Sequence, residues 1–122
     1  MILSKLIIGP QLIGLIMLLV GLLQKYFPPK KINHFYGYKT PSSMKNQETW
    51  DEANYYSAKL MIKIGSIVLV AGILIVFIIS GKYSSIITIC LLMLSGISIP
   101  VVVIVMTENY LHKKFNQNKS NE

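Results

Sequence analysis

The sequence predicts an all-α integral membrane protein, a three-helix bundle with a structured polar loop between helices 1 and 2. Of its 122 residues, 52% are hydrophobic and 14% are charged, whereas a soluble domain usually carries about 25% charged residues. The apolar residues form three continuous blocks and do not recur at the period of an amphipathic helix or strand. About 20 helical residues cross a hydrocarbon core of roughly 30 Å, so we expect one three-span membrane domain over residues 1–111.

The first span is predicted over residues 6–27. Its apolar residues run from Leu6 to Leu23, with Gln11 and Gln24 as polar interruptions, and Pro28-Pro29 follows. Proline lacks the N–H group that a continuing helix needs, so this pair marks a sharp end. No small-residue cleavage site follows the block, and we therefore expect a retained span and not a signal peptide.

The second and third spans are predicted over residues 58–80 and 86–106. Both blocks are rich in β-branched residues, but every backbone N–H group in lipid must bond internally, which favours helix. The connection Gly81–Ser85 is short, so we expect a tight turn and an antiparallel hairpin of these two helices. Pro100 is expected to kink the third span.

The distribution of lysine predicts the orientation. The formal net charge is +7, the chain has no arginine, and most lysines lie between the first two spans or after the third. Positive charge is retained on the cytoplasmic side of a membrane. We therefore expect a multi-pass membrane protein with its N-terminus outside and its C-terminus in the cytoplasm. Because the lysines lie beside apolar blocks, they favour the lipid bilayer as partner, and nucleic-acid binding is not expected.

Residues 112–122 follow the third span and differ from it in composition. They are polar and rich in lysine. Such a segment offers little apolar surface to bury against the rest of the chain. We predict a disordered basic tail.

Glycines recur at a spacing of seven in the first two spans. Gly14 and Gly21 share one face of the first helix, and Gly65 and Gly72 share one face of the second. Such faces let helix backbones approach closely in a membrane. Two uses are open: packing between helices of one chain, and a seam in a homo-oligomer.

No catalytic, metal or cofactor site is predicted. Cys90 has no second cysteine with which to form a disulfide within the chain, and His34 and His112 lack ligand-like spacing. Asp51 and Glu52 are neighbours, and neighbouring helical residues point about 100° apart, so they do not face one site. We expect neither an enzyme nor a bound cofactor.

Residues 28–57 form a polar segment between the first two spans. Gly37 is expected to turn the chain, and Asn46 is expected to cap a helix that runs directly into the second span. Trp50 and Asn54 fall on one face of that helix. From physical chemistry alone, the segment is interpreted as interfacial, with aromatic residues and lysines against the lipid headgroups.

Polar and aromatic residues follow a distinctive order between positions 33 and 54. They are Asn33, Gly37, Tyr38, Lys39, Thr40, Ser43, Met44, Asn46, Trp50, Ala53 and Asn54. In order, spacing and position between two spans, this pattern resembles the signature loop of the SdpI family of bacterial membrane proteins. Lys39 departs from the pattern, because the family usually has arginine there. Arginine offers a planar fork to a carboxylate or phosphate, whereas lysine offers a point charge.

The resemblance implies a bacterial immunity or signalling protein. The family is best known for protecting a producing cell from a secreted toxic peptide and for sequestering a transcriptional repressor at the membrane. The implied partners are therefore a secreted toxic peptide and a cytoplasmic repressor, with residues 33–54 carrying recognition or conformational coupling. Two alternatives share the span pattern. A holin-like pore former needs no ordered loop, and a small transporter subunit is disfavoured because no acidic residue lies at mid-membrane.

Overall fold

The computed structural model describes residues 2–79 and 85–120, and in these two ranges it contains helices and no β-strand. The helices are α1 (Ile2–Ile7), α2 (Pro10–Tyr26), α3 (Gln47–Ile79) and α4 (Ser85–Ser120). Both α3 and α4 are long and apolar enough to cross a membrane, and α2 is a shorter apolar helix. The predicted all-α class is confirmed, and the arrangement is compatible with a membrane helical bundle.

A break at Gly9 divides the first apolar block. Helix α1 ends at Ile7, Gly9 is extended with φ −147° and ψ 178°, and Pro10 is the first residue of α2. The sequence predicted a continuous helix from about residue 6, whereas the long helix begins at Pro10. Proline disfavours helical backbone in the residue before it, which explains the break. At its other end α2 stops at Tyr26, just before Pro28-Pro29.

Helix α3 begins well before the apolar block that it contains. It runs without interruption from Gln47 to Ile79, so the polar turns that carry Trp50 and Asn54 continue directly into the second span. A rigid helix therefore joins the polar segment to the apolar part of the bundle. The predicted turn Gly81–Ser85 lies, apart from Ser85, outside the described residues.

Helices α2 and α3 pack closely through glycine. The residues at this contact are Gly14, Gly21, Gly65 and Gly72. A Cβ atom at Gly65 would lie 2.7 Å from the amide nitrogen of Leu18, and one at Gly72 would lie 2.5 Å from the amide nitrogen of Gln11. Backbones approach this closely only where side chains are absent. The glycine faces of the two helices therefore meet within one chain.

Helix α4 packs on this pair more sparsely. Its Val103 joins Met17 of α2 and Leu60 of α3 in a small apolar cluster. Towards residue 85 most of its apolar side chains are exposed, including Met93 and Ile97. The helix also continues through Pro100, which lies inside it. Its apolar half is thus held by few side chains, and its position depends on contacts nearer the C-terminal end.

The expectation of a disordered tail is wrong for residues 112–120, which continue α4 as helix. The ring of Tyr110 stacks on Tyr56 of α3 with centroids 4.1 Å apart. One turn further on, Lys114 Nζ lies 2.9 Å from a carboxylate oxygen of Glu52. These contacts hold α4 against α3 beyond the apolar block. Composition alone does not reveal them, because each pairs residues far apart in the chain.

Replacing Gly72 with leucine is expected to destabilise the bundle. The new side chain would meet the backbone of α2, which cannot move aside as a flexible side chain can. Overpacking in a close-packed interior costs typically about 1–3 kcal/mol, and we expect a loss of about 3 kcal/mol or more in the free energy of unfolding. Thermal unfolding in detergent, followed by emission of the single tryptophan, Trp50, measures the change.

The matched control for this variant is Ala71→Leu, because Ala71 is the neighbouring residue and its side chain is exposed. Equal unfolding midpoints for the two leucine variants would contradict a close contact at Gly72.

Candidate functional site

The candidate functional site is the polar loop, residues 27–46, together with the first turns of α3 on which it packs. Trp50 on these turns is fully buried. Its indole N–H donates a hydrogen bond of 2.8 Å to the carbonyl oxygen of Pro29. A buried indole usually finds such a partner. The start of the polar loop is therefore fixed on α3 by both packing and a hydrogen bond.

The buried side chain of Asn54 fixes the middle of the polar loop. Its Oδ1 accepts a 2.7 Å bond from the backbone N–H of Tyr38, and its Nδ2 donates to the Trp50 carbonyl over 2.9 Å. Gln24 on α2 donates to the Asn54 carbonyl and to the Ser57 hydroxyl, both over 2.8 Å. Buried amides need such partners. Helix α2, the polar loop and α3 therefore meet at one residue.

Gly37 occupies the tightest point of the polar loop. Its φ is 114°, a backbone conformation that residues with a Cβ atom rarely adopt. A Cβ atom here would also lie 2.7 Å from Oδ1 of Asn54 and 3.2 Å from the ring of Trp50. Conformation and space both require glycine, and the chain turns at this residue as the sequence predicted.

Asn33 shapes the outer edge of the polar loop. Its Oδ1 accepts hydrogen bonds from the backbone N–H groups of Phe35, over 2.9 Å, and Tyr36, over 2.8 Å. This is an Asx-type turn, in which the side chain replaces a backbone acceptor. The Tyr36 hydroxyl then donates to the Phe27 carbonyl over 2.7 Å. The turn leaves the Phe35 side chain 94% exposed.

A second turn follows at Thr40–Met44. The Met44 N–H donates to the Thr40 carbonyl over 3.0 Å. Ser43 is fully buried, and its hydroxyl accepts from the Thr40 N–H and donates to the Tyr38 carbonyl, both over 2.9 Å. The Thr49 hydroxyl donates to the Ser43 carbonyl over 3.0 Å. This turn is thus bonded internally and to α3.

Asn46 caps α3, which begins at the next residue. Its Oδ1 accepts a 2.9 Å bond from the Thr49 N–H. The cap satisfies one of the backbone donors that a helix start leaves without an intrahelical partner. Ala53, on the following turn, is fully buried. The cap and the buried face of α3 together set where the polar loop ends.

Lys39 is exposed, and its ammonium group donates a 2.8 Å bond to the carbonyl oxygen of His34. The contact closes the loop segment between these two residues. Lys39 therefore bonds to a neutral backbone oxygen, whereas the fork of an arginine would suit a carboxylate or phosphate.

A carboxylate on α4 binds the polar loop. Oε1 of Glu108 accepts from the Tyr38 hydroxyl over 2.8 Å and from the Thr40 hydroxyl over 2.7 Å. Burial and the neighbouring carboxylate raise the pKa of the Tyr38 phenol above its usual value, so its proton stays in place as a donor. Hydrogen bonds to a charged acceptor are stronger than neutral ones. The polar loop is therefore fastened to α4 as well as to α2 and α3.

A second carboxylate fastens α4 to α3. Glu52 accepts a hydrogen bond from the hydroxyl of Tyr110 and pairs with Lys114. Its neighbour Asp51 has a different partner and accepts from Nε2 of Gln47 over 2.7 Å. The two adjacent carboxylates serve different contacts, as helical geometry requires.

Sequence reasoning missed the partners of several of these groups. It treated Gln24 only as a polar interruption of the first span. Tyr38 and Glu108 are 70 positions apart, and no spacing relates them. The available signal is a polar group at the end of an apolar block, which is costly unless it is bonded.

The described part of the chain offers no metal site. Within residues 2–79 and 85–120, no group of three or more His, Cys, Asp or Glu side chains is placed to hold a metal ion.

Comparison with known proteins identifies the family of this sequence. A model of the SdpI/YfhL protein family matches residues 30–107. A relative in Bacillus subtilis (strain 168), "Uncharacterized protein YfhL", is 50% identical over 62 residues, which cover 51% of this chain and 56% of the relative. The matched segment thus spans just over half the length of that relative. No solved structure matches the chain. Because the family model covers most of the polar loop, all of α3 and much of α4, the chain belongs to the SdpI/YfhL protein family, as the loop pattern predicted.

Proposed function

We propose that this protein is an SdpI-like immunity and signalling protein of the bacterial plasma membrane, which protects its cell from a secreted toxic peptide. In a second role it would sequester a transcriptional repressor at the membrane. Membership of the family supports the proposal, because immunity is the role for which the family is best known. The observation that carries it is the bonding of the polar loop to α4 at Glu108.

The packing of α2, α3 and α4 suggests how the two roles are coupled. Helices α2 and α3 form a rigid pair, because their backbones are in contact at glycine. Helix α4 has little apolar packing and is fastened mainly at Glu52 and Glu108. A toxic peptide that binds in the membrane would displace α4 more easily than α2 or α3. Through Tyr38 and Thr40, that displacement would change the polar loop, where a repressor would bind.

The orientation is part of the proposal. Lysines lie on the polar loop and in the C-terminal turns of α4, which pack at the same end of the bundle. Positive charge is retained on the cytoplasmic side. The polar loop would therefore face the cytoplasm, where a repressor is available, and the N-terminus would lie outside.

Expression of the protein in a toxin-sensitive strain is expected to raise survival on exposure to the toxic peptide. The variants Trp50→Ala and Glu108→Ala are expected to lose most of this protection. The first removes a fully buried side chain, which costs typically about 3–5 kcal/mol. The second removes the acceptor that joins the polar loop to α4. Survival is counted at equal membrane levels of each variant.

Lys63→Ala is the control for the survival assay, because Lys63 is an exposed residue of α3. Equal survival with and without the protein would contradict an immunity role. Growth arrest on induction alone, without toxin, would indicate a pore-forming protein instead.

Labelling of single cysteines in intact cells is expected to place the polar loop in the cytoplasm. In a Cys90→Ala background, His34→Cys reports on the polar loop, where His34 is exposed, and Ser84→Cys reports on the connection between α3 and α4. An impermeant maleimide should label the cysteine at position 84 and leave the one at position 34 unlabelled until the cells are opened. The reverse pattern would place the polar loop outside and contradict repressor capture.

A further inference from the structure

A cleft of about 530 Å³ opens between the end of α2, the start of the polar loop and the first turns of α3. Its charged lining residues are Lys25, Lys30, Asp51 and Glu52, and its apolar end is lined by Tyr55 and Ala58. The apolar part of α3 begins near Ala58. The cleft therefore spans the level at which the chain changes from polar to apolar, where the headgroups of a bilayer would lie.

The charges that line the cleft are mostly uncompensated. In the described parts of the chain, 2–79 and 85–120, the ion pair is that of Glu52 with Lys114, and Lys25, Lys30 and Asp51 form none. Asp51 bonds to the neutral amide of Gln47. Two cations and one carboxylate thus face the cleft without a partner of opposite charge. Such groups are complementary to a ligand that carries both an anion and a cation.

The apolar end of the cleft, and its position where the chain changes from polar to apolar, narrow the choice of ligand. A phosphate would pair with Lys25 and Lys30, a primary ammonium would donate to Asp51, and an acyl chain would follow Ala58 into the bilayer. A choline group cannot donate hydrogen bonds, and it binds best to open aromatic faces. The Tyr55 ring already has Lys59 Nζ at 5.0 Å from its centroid. A glycerol headgroup carries no cation for Asp51.

We propose that this cleft binds the headgroup of a zwitterionic aminophospholipid, of which phosphatidylethanolamine is the simplest. Lys25 and Lys30 hold the phosphate, and Asp51 holds the ammonium. The site is separate from the contacts of Glu108 and does not rest on the proposed immunity role. It would fix the depth of the polar loop relative to the headgroups of one leaflet.

Trp50 provides a reporter for the cleft. It is the single tryptophan, it is fully buried, and it donates to the carbonyl of Pro29. Pro29 itself lines the cleft. A bound headgroup therefore changes the surroundings of Trp50 through one intervening residue, and the emission of the protein reports occupancy.

The test uses the purified full chain in detergent, titrated with phosphatidylethanolamine, phosphatidylcholine and phosphatidylglycerol of identical acyl chains. Native mass spectrometry counts the bound lipid, and Trp50 emission gives the dissociation constants. We expect phosphatidylethanolamine to bind about tenfold more tightly than the other two, the size of effect that one added charge-assisted hydrogen bond gives.

Two pairs of variants assign the contacts. Asp51→Asn is expected to abolish the preference for phosphatidylethanolamine over phosphatidylcholine, and Lys30→Gln is expected to weaken all three lipids by about tenfold. Glu48→Gln and Lys31→Gln are the matched controls. Glu48 lies three positions before Asp51, and Lys31 lies next to Lys30. Both side chains are exposed, and neither lines the cleft. Their binding should equal that of the original protein.

Equal affinities for the three lipids would overturn the proposal, and so would a loss in Lys31→Gln as large as that in Lys30→Gln. Dimers in the mass spectra that lose bound lipid would also overturn it, because the cleft would then be an interface between copies of the chain. Trp50 emission without lipid is the folding control. A folded variant is expected to match the original protein, and an unfolded variant is expected to differ from it.

Discussion

The side chain of Asn54 is the constraint on which the arrangement of the site depends. Its Oδ1 accepts a hydrogen bond from the backbone N–H of Tyr38, the residue after Gly37, and the backbone carbonyl of Asn54 accepts one from Nε2 of Gln24 on α2. In a low-dielectric interior such bonds are strong when all groups are satisfied and costly when one is missing. Gly37 must then adopt positive φ, and the Tyr38 hydroxyl is placed to reach α4.

Two kinds of contact hold the helices together: close packing of backbones and polar contacts between side chains. Lipid is as apolar as the helices, so association in a membrane depends on close packing and on polar contacts. Helices α2 and α3 use close packing at Gly65 and Gly72, which allows no side chain between them. Helix α4 uses the carboxylate contacts of Glu52 and Glu108 at its C-terminal end. Its apolar half therefore packs more sparsely on the bundle than α2 and α3 pack on each other.

Local signals in the sequence were sufficient for most of the architecture. Block length predicted the helices, Asn46 predicted the start of α3, and Gly37 predicted the turn. The apolar run does not indicate the break at Gly9, because hydropathy does not include the steric effect of Pro10 on the residue before it, which acts in lipid as in water. The helical tail and the contacts of Glu108 were missed because they join residues that are distant in the chain.

In the polar loop, the residues that bind α4 are different from the residue that carries the exposed positive charge, Lys39. The group that anchors the polar loop to the Glu108 carboxylate is a pair of neutral hydroxyls, and the basic residue between them in sequence bonds to the His34 carbonyl. In the described residues Lys39 forms no ion pair, so its charge stays at the surface. The contact of the polar loop with Glu108 therefore does not involve the side chain of Lys39. That side chain closes the segment back to His34 and presents a point charge at the exposed face of the polar loop, without the directional demand of a guanidinium group.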